Sequence, residues 1–176
     1  MLTPPELSGR DYAHGCFCWV MPARNKLLVL DTRMMKFSSV DIAPAHKRLR
    51  RAIVEAGEGR FGMFTLCFDM EQGAYDLSYT ILRNDGQDAH QWQLEAMIRL
   101  PLNYDYNILG VAGGYLLLIG FPQGYHLVPI SERPNRDCFS LNLKTFQIEW
   151  FCATRCLIQY APLYAGFPPS LSPPTI

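Results

Sequence analysis

Apolar and polar residues alternate with a period of two over most of this chain, the mark of half-buried strands; helices would repeat at 3.6 residues. From Gln91 to Leu100, Trp92, Leu94, Ala96, Ile98 and Leu100 fall on one face, and Gln91, Gln93, Glu95 and Arg99 on the other. Tyr75, Leu77, Tyr79 and Ile81 alternate with Asp76, Ser78 and Thr80 in the same way. The polar stretch between these two segments contains Asn84-Asp85-Gly86 and predicts a hairpin with a long loop. Phe61 to Phe68 and Tyr115 to Phe121 are apolar on both faces, as inner strands covered from two sides must be. Lys26 to Asp31 and Met35 to Ile42 make another pair around Thr32-Arg33-Met34. Helix-like residues are confined to Ala45 to Glu55, where a basic stretch meets Ile53 and Val54, and a helix is the minor alternative there.

A short internal repeat organises these strands. Leu30-Asp31-Thr32-Arg33-Met34-Met35-Lys36-Phe37 aligns with Leu141-Asn142-Leu143-Lys144-Thr145-Phe146-Gln147-Ile148. In both copies an Asx residue ends one strand, where its side chain can cap the turn, and a basic residue sits at the tip. Outer strands ending near Ile42, Leu100 and Phe151 divide the chain into three sheet units of roughly fifty residues, the spacing of propeller blades. The predicted fold is all-β: a partial, three-blade β-propeller of four-stranded antiparallel meanders. Blade one runs from Ala13 through Ile42, blade two from Arg51 through Leu100 and blade three from Tyr106 through Phe151. Residues 1–12 form an unmatched amino-terminal segment, 13–151 the propeller portion, and 152–176 a carboxy-terminal segment whose Gly166, Pro168, Pro169, Pro173 and Pro174 predict an extended tail. Closed propellers have about four to eight blades, so a three-blade unit implies blades elsewhere, an irregular closure, or edges awaiting a partner.

Composition narrows the function classes. With 49% hydrophobic and 18% charged residues in 176, the chain has material for a core and is not a disordered tail. Sixteen basic residues balance sixteen acidic ones, so no global field draws nucleic acid or an anionic membrane, and neither is expected as a partner. The opening Met1-Leu2-Thr3-Pro4-Pro5-Glu6 lacks a secretory signal, so the six cysteines are expected as free thiols in the cytoplasm or nucleus. Ile108 to Phe121, the longest apolar stretch, is interrupted by Gly110, Gly113, Gly114 and Gly120 and reads as strand, turn, strand; no membrane span is expected.

Candidate chemistry is sparse. Gly57-Glu58-Gly59-Arg60-Phe61-Gly62 fits G-x-G-x-x-G, but a strand follows where a nucleotide fold needs a helix, and no Lys lies between Lys47 and Lys144. A glycine-bearing turn feeding an inner strand explains it better. His14, Cys16 and Cys18 share a strand face but are too spread for tetrahedral ligation, and no Cys-x-x-Cys partners them, so buried thiols are the simpler reading. His46-Lys47-Arg48-Leu49-Arg50-Arg51 is the one concentrated charge, by default a solvated connection between blades. There is no G-x-S-x-G and no recognisable Ser-His or Cys-His arrangement, so no catalytic residue, metal site or cofactor is expected, and the chain is expected not to be an enzyme.

Several segments together resemble the carboxy-terminal half of plant F-box proteins that carry an F-box-associated β-propeller. They are His14-Gly15-Cys16-Phe17-Cys18-Trp19-Val20, Leu28-Val29-Leu30-Asp31-Thr32 with Phe37-Ser38, Ala52 to Gly59, Trp92-Gln93-Leu94-Glu95, and Cys138 to Thr145. In that family the F-box docks on a Skp1-type adaptor of a cullin ubiquitin ligase and the propeller presents protein substrates. No L-P-x-x-[LI]-x-x-x-[IL] run precedes His14, so the expectation is a propeller portion without its F-box, and adaptor docking is not implied for it. The resemblance implies a non-enzymatic recognition module for a protein substrate; the alternatives are a truncated remnant without independent function or a propeller-scaffold enzyme. In a meander, the loops joining second to third strands and successive blades emerge on one face. That face would gather Ala43 to Arg50, Asp69 to Ala74, Pro101 to Asp105 and Pro122 to Asp137. Its candidate partner-binding residues are Tyr125, His126, Arg133 and Arg136, with Tyr104, Lys47 and Arg48 beside them.

Overall fold

The computed structural model describes residues 10–21, 24–42, 50–84 and 90–155. Within them the chain forms three four-stranded antiparallel sheets, each a simple meander. The first sheet holds β1 (Arg10–Ala13), β2 (Cys16–Met21), β3 (Lys26–Asp31) and β4 (Lys36–Asp41). The second holds β5 (Arg51–Glu55), β6 (Phe61–Asp69), β7 (Ala74–Asn84) and β8 (His90–Arg99). The third holds β9 (Tyr104–Ala112), β10 (Tyr115–Pro122), β11 (Arg136–Asn142) and β12 (Ile148–Thr154). The first strands of successive sheets meet, β1 on β5 and β5 on β9, and the sheets stack face to face outward from them. This is the arrangement of propeller blades around an axis, and the chain is a partial, three-blade β-propeller. The first strand begins at Arg10, inside the segment set apart from sequence, and the last runs on to Thr154.

Apolar pattern and burial agree because the second sheet is the middle leaf. One core lies between the second and third sheets, where Phe64, Leu66, Leu77 and Tyr79 meet Leu116, Leu118, Phe139 and Leu141. Another lies between the first and second, where Cys18, Val20, Leu27 and Val29 meet Ile53, Met63 and Leu82. Neighbouring residues Met63 and Phe64 thus enter different cores, which is why β6 is apolar on both faces. Two bonds tie the inner strands: Ile53 N donates to Asp11 Oδ2 at 2.9 Å, and His14 N to Glu55 Oε1 at 2.7 Å.

Two readings of the pattern change. The residues Trp92 to Leu100 do not share one face. The β7–β8 register passes from Thr80 opposite Leu94 to Tyr79 opposite Ala96, leaving Glu95 as a bulge. The extra residue flips the strand, so Trp92 packs against the core of the first and second sheets, while Ala96 and Ile98 pack toward the third. Leu94, at the crossover, is exposed. The helix alternative over Ala45 to Glu55 also fails where it can be judged: Arg51–Glu55 is strand β5, and residues 43–49 lie outside the described residues.

The internal repeat holds in atomic detail. Asp31 Oδ1 accepts from Arg33 N and Met34 N at 2.8 and 3.0 Å. Asn142 Oδ1 accepts from Lys144 N and Thr145 N at 2.9 and 3.2 Å. Equivalent residues Met35 and Phe146 then close each turn with φ of 50° and 57°. The G-x-G-x-x-G segment is a turn entering β6, closed by Arg60 N to Gly57 O at 2.9 Å. Its last glycine has a packing reason, since a Cβ on Gly62 would sit 2.8 Å from Tyr79 Cε2 and 2.9 Å from Val54 Cγ2.

Candidate partner-binding face

The ends of β6, β8, β10 and β12 and the starts of β7, β9 and β11 meet at one end of the stack, as the meander requires. The β6–β7 turn is fastened there by Arg99 of β8, which reaches Asp76 at 2.6 Å, Gln72 Oε1 at 2.6 Å and Asp69 at 3.5 Å. The segment from 123 to 135, between β10 and β11, is tied to its neighbour by Gln123 N donating to Asn103 O at 3.0 Å. It contains two single-turn 3-10 helices, Tyr125–Leu127 and Ile130–Glu132.

Tyr125 and Arg136 are the buried foundation of this loop. Tyr125 packs edge-on against Phe121 at 5.2 Å and His126 at 5.3 Å, over Ile119 and Cys138 on the outer face of the third sheet. The guanidinium of Arg133 stands 5.1 Å from the Tyr125 ring centroid, and that of Arg136 stands 5.7 Å from it and 5.8 Å from Phe121. Such ring contacts offset part of the cost of burying a cation, up to about 2 kcal/mol once water is excluded. Arg136 also donates through Nη2 to Arg155 O at 2.7 Å, and Arg133 through Nε to Val128 O at 3.1 Å. Both arginines therefore spend their main contacts holding the loop, and Arg136 is only 3% exposed.

What the loop presents outward is different. Leu127 is 90% exposed and Ile130 81%, with His126 exposed beside Leu127. Sequence reasoning passed over Leu127 and Ile130. The available signal was two apolar residues in a Pro- and Gly-bounded segment whose neighbours show no strand alternation. Tyr104 stands at the start of β9, its hydroxyl donating to Asp137 Oδ2 at 2.8 Å, while Trp150 Nε1 donates to Asp137 Oδ1 at 2.8 Å. That bond to a carboxylate, with burial as the lesser cause, raises the Tyr104 hydroxyl above the usual phenol range. Gly120 makes room for this pair, because a Cβ there would meet Tyr104 Cδ1 at 2.9 Å and Phe139 Cε2 at 3.0 Å. Trp150 is more than half exposed, so its indole adds an aromatic surface next to Tyr104. Lys47 and Arg48 lie outside the described residues.

The chemistry of catalysis or metal binding is thin here. Among the described residues no group of three or more His, Cys, Asp or Glu is placed to hold a metal ion. Cys16, Cys18, Cys67, Cys138 and Cys152 are free, and burial pushes the Cys18 thiol up to about 12 and the Cys138 thiol up to about 11, away from nucleophilic thiolate. No helix among the described residues is long and apolar enough to cross a membrane.

No family model matches the chain. No curated protein sequence matches it either. Among solved structures, one named luciferin-regenerating enzyme matches at 12% identity and a TM-score of 0.41, over 82% of this chain and 44% of that one. The chain thus spans less than half the length of that structure. The match corrects the expectation that the chain is not an enzyme, since a propeller-like neighbour bears an enzyme's name. At this identity and score the likeness transfers no chemistry to the present residues.

Proposed function

We propose that this chain is a protein-recognition unit related to the substrate-binding propellers of F-box proteins, and that it grips its partner with the loop between β10 and β11. An all-β propeller fold suits protein interaction in general. Two things support the finer reading: the motif resemblance across the three blades, and the way the loop is built. The carrying observation is that Tyr125 and Arg136 are buried to hold a loop whose Leu127 and Ile130 point into water. Apolar side chains kept exposed on a braced loop are how an interface anchor looks before its partner arrives. Tyr104 and Trp150, joined through Asp137, lie on the other face of the third sheet, toward the second, and are not part of the surface that Leu127 and Ile130 make.

The test is affinity capture from plant extract on immobilised chain, comparing wild type with Leu127→Asp/Ile130→Asp and with a substitution at the opposite end, Arg83→Ala. A specific protein retained by wild type and Arg83→Ala, and lost with the double aspartate, is the expected result. Retention unaffected by the double aspartate but lost with Arg83→Ala moves the interface to the other end and overturns the assignment. A purified Skp1-type adaptor is the second arm; no retention is expected from residues that carry no F-box motif.

A further inference from the structure

Of the cysteines among the described residues, the fold sets two face to face. Cys138 on β11 and Cys152 on β12 are register partners in an antiparallel pair, so their side chains leave the same face of the third sheet directly opposite each other. Opposed residues in such a pair hold their Cα atoms about 4.5 to 5.5 Å apart, inside the window of about 4.4 to 6.8 Å that a disulfide spans. The Cβ atoms need to close by about 1 Å, and the strand that must give is the right one to move. Among the described residues β12 is the edge of its sheet, and the register next to the pair passes to Phe139 opposite Trp150, leaving Phe151 as a bulge. No other described cysteine has a cysteine opposite it. Cys16 faces Ala13 and Asp31, Cys18 faces Asp11 and Val29, and Cys67 faces Asp76. Cys16 and Cys18 follow each other on one strand face, about 6.6 Å apart along it, beyond the Cβ reach of about 3.5 to 4.5 Å for the bond.

The two thiols are unequal. Cys138 is 1% exposed, packed with Tyr125, Ile119 and Phe121, whereas Cys152 is half-buried. Burial, and after it a hydrogen bond between the two thiols, raises the Cys138 pKa. Cys152 is therefore the thiol that a reagent meets first, and Cys138 the one that follows. We propose that Cys138 and Cys152 are a redox-reactive pair, a modification site that a low-molecular-weight disulfide such as oxidised glutathione closes to an intramolecular disulfide. The Cys152 thiolate attacks one glutathione sulfur, forming a mixed disulfide as the glutathione S–S bond breaks and one glutathione thiolate leaves. The Cys138 thiolate then attacks the Cys152 sulfur and expels the second glutathione thiolate. The chain gives up two electrons and two protons, and the oxidised glutathione leaves as two thiols. The second step joins groups already in contact, which offsets the scarcity of Cys138 thiolate. The site rests on strand register and does not depend on the partner-binding reading of the β10–β11 loop.

Anaerobic incubation of the folded full chain with oxidised glutathione, followed by alkylation, trypsin digestion and mass spectrometry, tests the assignment. Cleavage after Arg136, Lys144 and Arg155 puts the two cysteines on separate peptides, 137–144 and 145–155, so the disulfide is read as their cross-link. That linked pair is expected to form about tenfold or more faster than any other cysteine pairing and to be undone by dithiothreitol. Cross-linking a loop of about 15 residues should raise the melting temperature by about 5 °C or more. Cys138→Ala should stop at a glutathione adduct on Cys152, and Cys67→Ser should behave as wild type. Should Cys138→Ala fail to fold, the wild-type peptide map and melting shift decide. Absence of the 137–144 to 145–155 link, faster linkage through another cysteine, or a link that lowers the melting temperature would each overturn the proposal.

Discussion

Asp11 is the most informative perturbation, because a carboxylate stands where two blades meet. It lies on β1 opposite Cys18 and accepts the Ile53 N–H of β5 at 2.9 Å. Burial raises its pKa from 3.8 to about 6, against the opposing pull of that hydrogen bond. A folded-state pKa above the unfolded value means that the native state holds the proton longer. The contribution of the neutral acid to stability is therefore complete below about 3.8 and is lost as pH rises through about 6. At about 1.4 kcal/mol per pH unit, a shift of this size amounts to roughly 3 kcal/mol, an upper figure because the sheets can relax around the charge. Asp11→Asn keeps an acceptor for Ile53 and removes the charge. The variant should match wild type near pH 4 and exceed it by about 2–3 kcal/mol at pH 7 and above. Urea unfolding followed by tryptophan fluorescence from pH 4 to 8 measures the difference curve. Asp31, whose carboxylate is held below its usual range by the Met34 and Arg33 N–H groups, works in the opposite sense: its contribution is present above 3.8 and lost as pH falls. Subtracting the two proteins cancels it. A difference curve that is flat, or that shrinks with rising pH, would refute the reading of Asp11 as a buried, desolvated acid.

The two repeated turns predict opposite outcomes for one substitution. Met35 and Phe146 share a left-handed backbone, but Met35 is exposed while Phe146 packs 5.3 Å from the Tyr79 ring. Met35→Gly should stabilise by about 1 kcal/mol and Phe146→Gly destabilise by about 3 kcal/mol, read by thermal and urea melts. Gly62→Ala should cost about 2 kcal/mol or more, because the added methyl meets Tyr79 and the β5 side chain Val54 at once. Asp137→Ala should release both Tyr104 and Trp150, lowering stability by about 2 kcal/mol and changing the Trp150 emission; an unaltered spectrum would mean that the indole bond contributes nothing in solution.

Much of the architecture was legible because strand alternation is a local signal. The runs that became β6 and β10 could be recognised as inner strands since both of their faces are apolar, and the Asx turns could be placed because the side chains of Asp31 and Asn142 accept from residues two and three further along, a local pattern. The site was legible only in outline. Tyr125, His126, Arg133 and Arg136 do gather around one ring, but composition cannot tell an anchor for a partner from an anchor for the loop itself. Leu127 and Ile130 stayed hidden because exposure in a loop has no period to betray it.

Taken by itself, then, the order of residues determined where strands begin and turn, and that three meanders follow one another. Which face of each strand meets which neighbour was decided by the tertiary structure, through events that depend on distant residues. One unpaired residue at Glu95 sends Trp92 and Ile98 into different cores, and another at Phe151 sets Cys138 opposite Cys152, a pairing that no segment encodes alone. Alternation is set by neighbours along the chain, whereas bulges, gaps and buried charges arise where separate leaves must fit against each other.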